Sequence, residues 1–149
     1  MEKATSLFLN NPNLKRSKNQ MKTPVQKRLQ INKQLIDFRE NLAPEFGSIV
    51  TTPDVDSYIK EDFDNNIIEI LNLLKRHVIF DYGICCKEDA KLNEANRKAK
   101  DGNRIHSSYK LKNNKVIWII TSGYYQHELN RQFKTSNYCY TTVLFPNEY

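Results

Sequence analysis

The chain has 149 residues, 39% of them hydrophobic and 27% charged, and a formal net charge of +6 at pH 7. This length and composition predict one globular domain, and a domain of this size buries roughly two thirds of the surface of its unfolded chain. No apolar stretch approaches the ~20 residues that cross a bilayer, and none near the start has signal-peptide length, so we expect a cytoplasmic protein with no membrane partner.

Positive charge is concentrated near the start of the chain. Residues 1–36 contain eight Lys or Arg and one acid, a net charge of +7, so the remainder sums to −1. Residues 1–22 are also poor in hydrophobic side chains, which predicts a flexible basic arm. The arm and the helix after it could form one basic surface for nucleic acid or an acidic protein patch, and the alternative is an ordinary solvated face of a helix packed on the core. The side chains predicted to make this contact are Lys15, Arg16, Lys18, Lys22, Lys27 and Arg28.

Residues 23–149 are predicted to form the domain, beginning with an added helix over 24–43. Thr23 followed by Pro24 is typical of a helix start, with Thr as the N-cap and Pro at the first helical position. An apolar stripe at 4-3-4 spacing follows and predicts the face that packs on the core. The stripe consists of Ile31, Leu35, Phe38 and Leu42.

Two more helices are predicted from the hydrophobic pattern. Residues 65–77 are apolar over more than half of the helix circumference, so this helix should be the most buried one. Residues 87–100 are more polar and end at Asp101-Gly102. Their predicted inner stripe is Ala90, Leu92, Ala95 and Ala99.

Four segments are predicted to form strands. Residues 48–50 make a short one, and 104–111 and 115–121 flank an Asn113-Asn114 turn and form a hairpin. Residues 138–145 make the last strand. Because 115–121 is apolar at every interior position, we expect it at the centre of the sheet with both faces covered. The predicted fold is α+β: a small, mainly antiparallel sheet of three to four strands with helices packed on it.

An exposed excursion, residues 122–137, separates the last two strands. It is longer than an ordinary hairpin loop, which predicts a short helix or a functional loop. Tyrosine is enriched at interface hot spots, so Tyr124, Tyr125 and Arg131 are predicted to contact a protein partner.

Several short sequence motifs lie between residues 46 and 149. They are 46–53 (FGSIVTTP), 76–78 (RHV), 81–83 (DYG), 87–89 (KED) with Asn93 and Asn96, 102–109 (GNRIHSSY), 118–121 (WIIT) and 141–149 (TTVLFPNEY). In these motifs the chain resembles a group of small proteins carried by plasmids and phages and often labelled "plasmid-related protein". The resemblance implies a mobile element, where small cytosolic proteins frequently counter host defences, and it supplies no catalytic residues. Residues 1–45 and the excursion are additions to that pattern.

Common catalytic and metal motifs are missing from the sequence. The four glycines form neither GxGxxG nor GxxxxGK[ST], which argues against the usual nucleotide-binding loops. The three histidines and three cysteines show no metal-ligand spacing, and the pair Cys85-Cys86 is predicted to be inert. We therefore expect no cofactor and no metal.

One set of residues could support ribonuclease chemistry. Strand alternation places Arg104, His106, Ser108 and Lys110 on one face, and the excursion adds His127, Glu128 and Arg131. Cleavage through a 2′-hydroxyl needs a general base, a general acid and a cation, and these side chains could supply all three. The alternative is that they are ordinary solvated residues.

The leading functional prediction is a non-enzymatic binding protein of a phage or plasmid that inhibits or modulates a host defence protein or nucleoprotein complex. Two alternatives remain open at this point. One is a metal-independent ribonuclease toxin acting through Arg104, His106, His127 and Glu128, and the other is a simple RNA- or DNA-binding protein.

Overall fold

Five α-helices and four β-strands make up residues 21–149, the part of the chain that the computed structural model describes. In chain order they are α1 (Pro24–Asn41), β1 (Ser48–Thr51), α2 (Pro53–Glu61), α3 (Phe63–Val78), α4 (Lys87–Ala99), β2 (Ile105–Lys110), β3 (Val116–Ser122), α5 (His127–Phe133) and β4 (Tyr140–Leu144). Short 3-10 turns, Pro44–Phe46 and Pro146–Glu148, precede β1 and follow β4. The predicted α+β class is confirmed, whereas most of the predicted basic arm lies outside the described residues.

The four strands form one sheet in the order β1-β4-β3-β2. The β2–β3 and β3–β4 pairs are antiparallel, and β1 runs parallel to β4. Strand β3 therefore lies inside the sheet, as its apolar sequence predicts, while β1 and β2 form the two margins. The parallel pairing is possible because α2, α3, α4 and the hairpin separate β1 from β4 along the chain.

Alternation along the strands gives the sheet two different faces. The inner face packs against α2 and α3 through a core that includes Tyr109, Ile117, Ile119 and Val143. The outer face carries the side chains in between, and the register sets Ser108 beside Trp118 and His106 beside Ile120. Trp118 is only half-buried, so the expectation that this strand is covered on both faces is wrong for Trp118.

Helix α1 begins as the sequence predicts but is loosely held. Thr23 and Gln26 form a capping box, in which the Gln26 amide donates to Thr23 Oγ1 over 3.2 Å and the Thr23 amide donates to Gln26 Oε1 over 2.9 Å. Of the residues in α1, Ile31 alone is fully buried. Helix α3 is much better packed, with Ile70, Leu71, Leu73, Leu74 and His77 buried.

A buried row of polar groups crosses the inner face of the sheet. His77 Nδ1 lies 2.6 Å from Ser107 Oγ on β2, and His77 Nε2 lies 2.8 Å from Thr121 Oγ1 on β3. Thr121 is 2.8 Å from Thr141 on β4, which in turn donates to the Phe46 carbonyl over 2.7 Å. Burial lowers the pKa of His77 to about 3, so its ring is neutral and joins three strands to the turn before β1.

Helix α4 faces the domain with two asparagines instead of the predicted alanine and leucine stripe. Asn93 and Asn96 are its buried residues, and Leu92 is 51% exposed. The reason is that α4 lies along the backbone of β2, where amide side chains bond to peptide groups. Asn93 Nδ2 donates to the His106 carbonyl over 2.6 Å, and Asn93 Oδ1 accepts from the His106 amide over 2.9 Å.

Candidate functional site

The outer edge of β1 is open. The Thr52 amide donates to the Val143 carbonyl over 3.2 Å, so strand alternation turns the backbone of Val50 toward β4 as well. The amides and carbonyls of Ile49 and Thr51 therefore face away from the sheet. Within residues 21–149, no hydrogen bond is observed from a side chain or loop to these four groups. An edge of this kind can pair with another strand.

An apolar groove of about 850 Å³ lies directly beside this edge. Its floor consists of core side chains of α3, among them Ile70, Leu71 and Leu74. One wall is α1, and Ile49 of β1 also contributes to the lining. The residues of α1 that line the groove are Asn32, Leu35, Ile36, Phe38 and Arg39, and Leu42 just after the helix lines it as well.

The opposite wall comes from the excursion between β3 and β4. Asn130, Thr135 and Ser136 line the groove there. Asn130 holds this segment against the start of β4, because its Oδ1 accepts from the Tyr138 and Cys139 amides over 2.9 and 3.1 Å. The groove therefore lies between α1 and the excursion, the two segments that the resemblance leaves out.

The approach of β1 to the excursion depends on Gly47. It has φ +63°, and a Cβ at this position would lie 2.1 Å from the Cys139 carbonyl oxygen. Another residue would therefore push the start of β1 away from β4. Gly47 therefore allows the start of β1 to lie close to the segment that leads into β4.

Helix α1 also carries apolar side chains on its exposed surface. These are Val25, Leu29 and Ile36, each at least 45% exposed, and Met21 just before the helix is exposed as well. Val25 and Leu29 are at i, i+4 spacing and so share a face of the helix. The helix that walls the groove thus has more apolar surface than the described domain covers.

The predicted tyrosine interface needs a correction. Tyr124 is only 5% exposed, because its ring packs on Phe46 at 5.5 Å and on Phe80 at 6.1 Å between centroids. The prediction that it contacts a partner at the surface is therefore wrong. Tyr125 is half-buried under the Lys100 ammonium, 4.7 Å from the ring centroid. Arg131 is exposed and lies 3.5 Å from Glu128.

The residues of the predicted basic surface differ in where they lie and in what they contact. Lys15, Arg16 and Lys18 lie outside the described residues. Lys22 and Lys27 are exposed, and Lys22 donates to Gln30. Arg28 is engaged within the domain, since its guanidinium lies 3.0 Å from Asp64 and 4.4 Å above the Phe63 ring.

The two halves of the predicted ribonuclease site are not joined. Arg104, His106, Ser108 and Lys110 do share the outer face, but Ser108 is buried. Burial lowers the pKa of His106, although nearby Asp89 partly opposes this effect. His127 lies 3.4 Å from Glu128 at the start of α5. Across the part of the chain described, no hydrogen bond or ion pair connects this pair to Arg104 or His106, so the ribonuclease function stays a prediction.

The cysteines are separate thiols. Cys139 is buried, and burial raises its pKa to about 11, while burial also raises the pKa of Cys85. Among residues 21–149, no three His, Cys, Asp or Glu side chains lie close enough together to hold a metal ion. The helices in this range are also too short or too polar to span a membrane.

Sequence reasoning predicted the β1 strand but missed its open edge and the groove. The short length of β1 was the available signal, since margin strands are often short. Nothing local showed that β1 pairs with the distant β4 instead of the hairpin.

Comparison of the chain with protein-family models, curated proteins and solved structures found no match. The resemblance to plasmid-related proteins therefore stays a prediction, and the functional argument depends on the geometry of the domain.

Proposed function

We propose that the chain is a non-enzymatic binding protein of a mobile element that inhibits or modulates a host defence nucleoprotein complex in the cytoplasm. The observation that supports it is the open β1 edge beside an apolar groove walled by α1 and the excursion. A groove of this kind needs no catalytic residues, because the protein would act by binding a segment of its partner.

The partner segment binds as an added strand beside β1. Its backbone bonds to the outward amides and carbonyls of Ile49 and Thr51, which supply affinity without regard to sequence. Alternate side chains of an added strand point to the inner face, where the groove begins. The preferred segment is therefore extended, with apolar residues at every second position.

Charge around the groove adds a second preference. Helix α1 carries Lys27, Arg28, Lys33 and Arg39 against Asp37 and Glu40, a net charge of +2, and Arg39 lines the groove. Opposite charge near an interface speeds association and suppresses wrong partners. The segment should therefore carry acidic residues beside its apolar ones.

The test is capture of the partner from host cells by the tagged full chain and by two variants. Leu42→Asp places a charge in the groove and should reduce capture at least tenfold. Asn41→Asp introduces the same charge at the neighbouring exposed position and should capture as the unchanged chain does.

Hydrogen exchange on the purified complex then locates the contact. The Ile49 and Thr51 amides should exchange more slowly when the partner is bound. Equal capture by Leu42→Asp and Asn41→Asp, or unchanged exchange at both amides, would show that the partner binds elsewhere.

A further inference from the structure

A continuous set of four side chains crosses the outer face of the sheet. The Arg104 guanidinium donates to Tyr149 Oη over 2.7 Å, and the Tyr149 ring lies 5.8 Å from the Trp118 ring. Trp118 in turn meets the His106 ring edge-on at 4.8 Å. We call these four residues the outer-face cluster. It joins β2, β3 and the end of the chain on the side away from α2 and α3.

The rings of the cluster are accessible although they are large. Tyr149 is 75% exposed, Arg104 is exposed, and Trp118 and His106 are half-buried. His106 Nε2 is shielded and finds no hydrogen-bond partner within residues 21–149. An exposed aromatic surface of this kind resembles a binding surface more than a packing surface.

The segment that contains the cluster is positively charged, although Asp89 lies near His106. Residues 104–149 contain six Lys or Arg and two acids, Glu128 and Glu148, a net charge of +4. Residues 44–103 carry twelve acids and eight Lys or Arg, a net charge of −4. The near-neutral sum of the domain therefore conceals two regions of opposite charge. The cations of the β2–β3 hairpin and its approach are Arg104, Lys110, Lys112 and Lys115.

We propose that the outer-face cluster is a binding site for single-stranded nucleic acid. Two successive bases stack on Trp118 and Tyr149, and Arg104 and the hairpin lysines contact the phosphates. The site is separate from the groove at β1, so it adds a second function to the one proposed above and does not depend on it.

Single strands fit this surface better than duplexes do. Bases must be free to leave their own stack before they can lie on a protein ring, and an open sheet face presents rings to such bases. In a duplex the same rings would meet only the sugar-phosphate backbone. The Lys and Arg side chains alone would bind both forms. A preference for single strands would therefore show that the aromatic rings take part in binding.

Trp118 provides a direct probe because it is the single tryptophan of the chain. The full-length protein is titrated with a 12-nucleotide oligo(U), the matching oligo(dT) and a 12-base-pair duplex at low salt. Stacking should quench Trp118 fluorescence with the single strands and leave it nearly unchanged with the duplex. The affinity should also fall steeply as salt is raised, because the phosphate contacts release counterions.

Exposed residues make the most informative variants. Tyr149→Ala and Arg104→Ala should each weaken oligo(U) binding about tenfold, because the first removes a stacking ring and the second a phosphate contact. The matched controls are Tyr138→Ala, which removes another exposed tyrosine, and Lys60→Ala, which removes a cation from α2. Both controls should bind as the unchanged chain does. Trp118→Phe keeps a ring at the central position and should lose less than tenfold.

Three results would overturn the proposal. One is the absence of binding to either single strand at low salt. Another is binding that neither changes Trp118 fluorescence nor responds to Tyr149→Ala and Arg104→Ala. The third is complete loss of binding on changing Lys15, Arg16 and Lys18 together to Ala in the full chain, since the basic segment would then carry the contact alone.

Discussion

The two margins of the sheet, β2 and β1, differ in whether their outward backbone groups have hydrogen-bond partners. At the β2 margin, Asn93 pairs with both backbone groups of His106. The Ser108 amide donates to the Tyr82 carbonyl over 3.1 Å, and the Ser108 carbonyl accepts from Ile84 over 2.7 Å. Asn96 adds a bond to the Arg104 carbonyl over 2.8 Å. At the β1 margin, the described residues supply no such partners to Ile49 and Thr51.

This difference indicates that the β2 edge is closed by the rest of the fold, whereas the β1 edge is open to another strand. Unpaired strand edges promote unwanted association, and a protein with one open edge normally blocks it. The chain blocks β2 with side chains of α4 and with residues 82–84, yet leaves β1 open next to an apolar groove. The open margin is therefore the better candidate for a binding function.

Removing the cover of the β2 margin should have the largest effect. Asn93→Ala leaves the His106 amide without a partner and leaves the His106 carbonyl with only the weak Cys85 thiol donor, 3.3 Å away, and an unsatisfied backbone group costs about 1–3 kcal/mol. We expect the free energy of unfolding to fall by about 2 kcal/mol in urea denaturation. Asn137→Ala, at an exposed position of the excursion, should change it by less than ~0.5 kcal/mol. A loss below ~1 kcal/mol for Asn93→Ala would mean that water replaces the amide.

Acid should weaken the polar row that links both margins. The pKa of His77 is about 3 in the folded chain, well below its usual value of 6.5, so the folded state favours the neutral ring. The unfolded chain takes up a proton as pH falls below about 6.5, and stability present above that pH is lost at about 1.4 kcal/mol per unit toward pH 3. Between pH 6.5 and 5 the loss should be about 2 kcal/mol.

The measurement is urea denaturation of the unchanged chain and of His77→Gln across this pH range. The variant starts less stable, but its stability should depend less steeply on pH. Parallel slopes for the two proteins would contradict a neutral, buried His77.

Closing the β1 margin should have the smallest effect on the fold and a specific effect on binding. Thr51→Pro removes an outward amide, and proline is tolerated on a strand edge. Partner capture should weaken about tenfold, the size of effect expected for lost strand hydrogen bonds. Thr51→Val keeps the amide and removes only the hydroxyl that bonds to Asp56, so it should capture normally. Equal weakening by both variants would assign the effect to the side chain.

Local chemistry predicted many elements of the fold. The Thr23-Pro24 start of α1, the apolar helix α3 and the β2–β3 hairpin all depend on side chains close in sequence, and each is present. The burial of Asn93 and Tyr124 could not be predicted in the same way. Both side chains are inside because of segments distant in sequence, a strand backbone for Asn93 and the Phe46 ring for Tyr124.

By itself, the sequence determined the α+β class, the interior position of β3 and the absence of common catalytic motifs, because hydrophobic periodicity and motif spacing are local properties. Only the tertiary structure decided that β1 pairs with β4, that α1 and the excursion wall one groove, and that Arg104, His106, Trp118 and Tyr149 meet on one face. These contacts join residues that are far apart in the sequence, such as Ser48 and Tyr140, which pair in the β1–β4 register although they are more than 90 positions apart. Pairing over such separations is fixed by packing of the whole domain, which no single segment encodes.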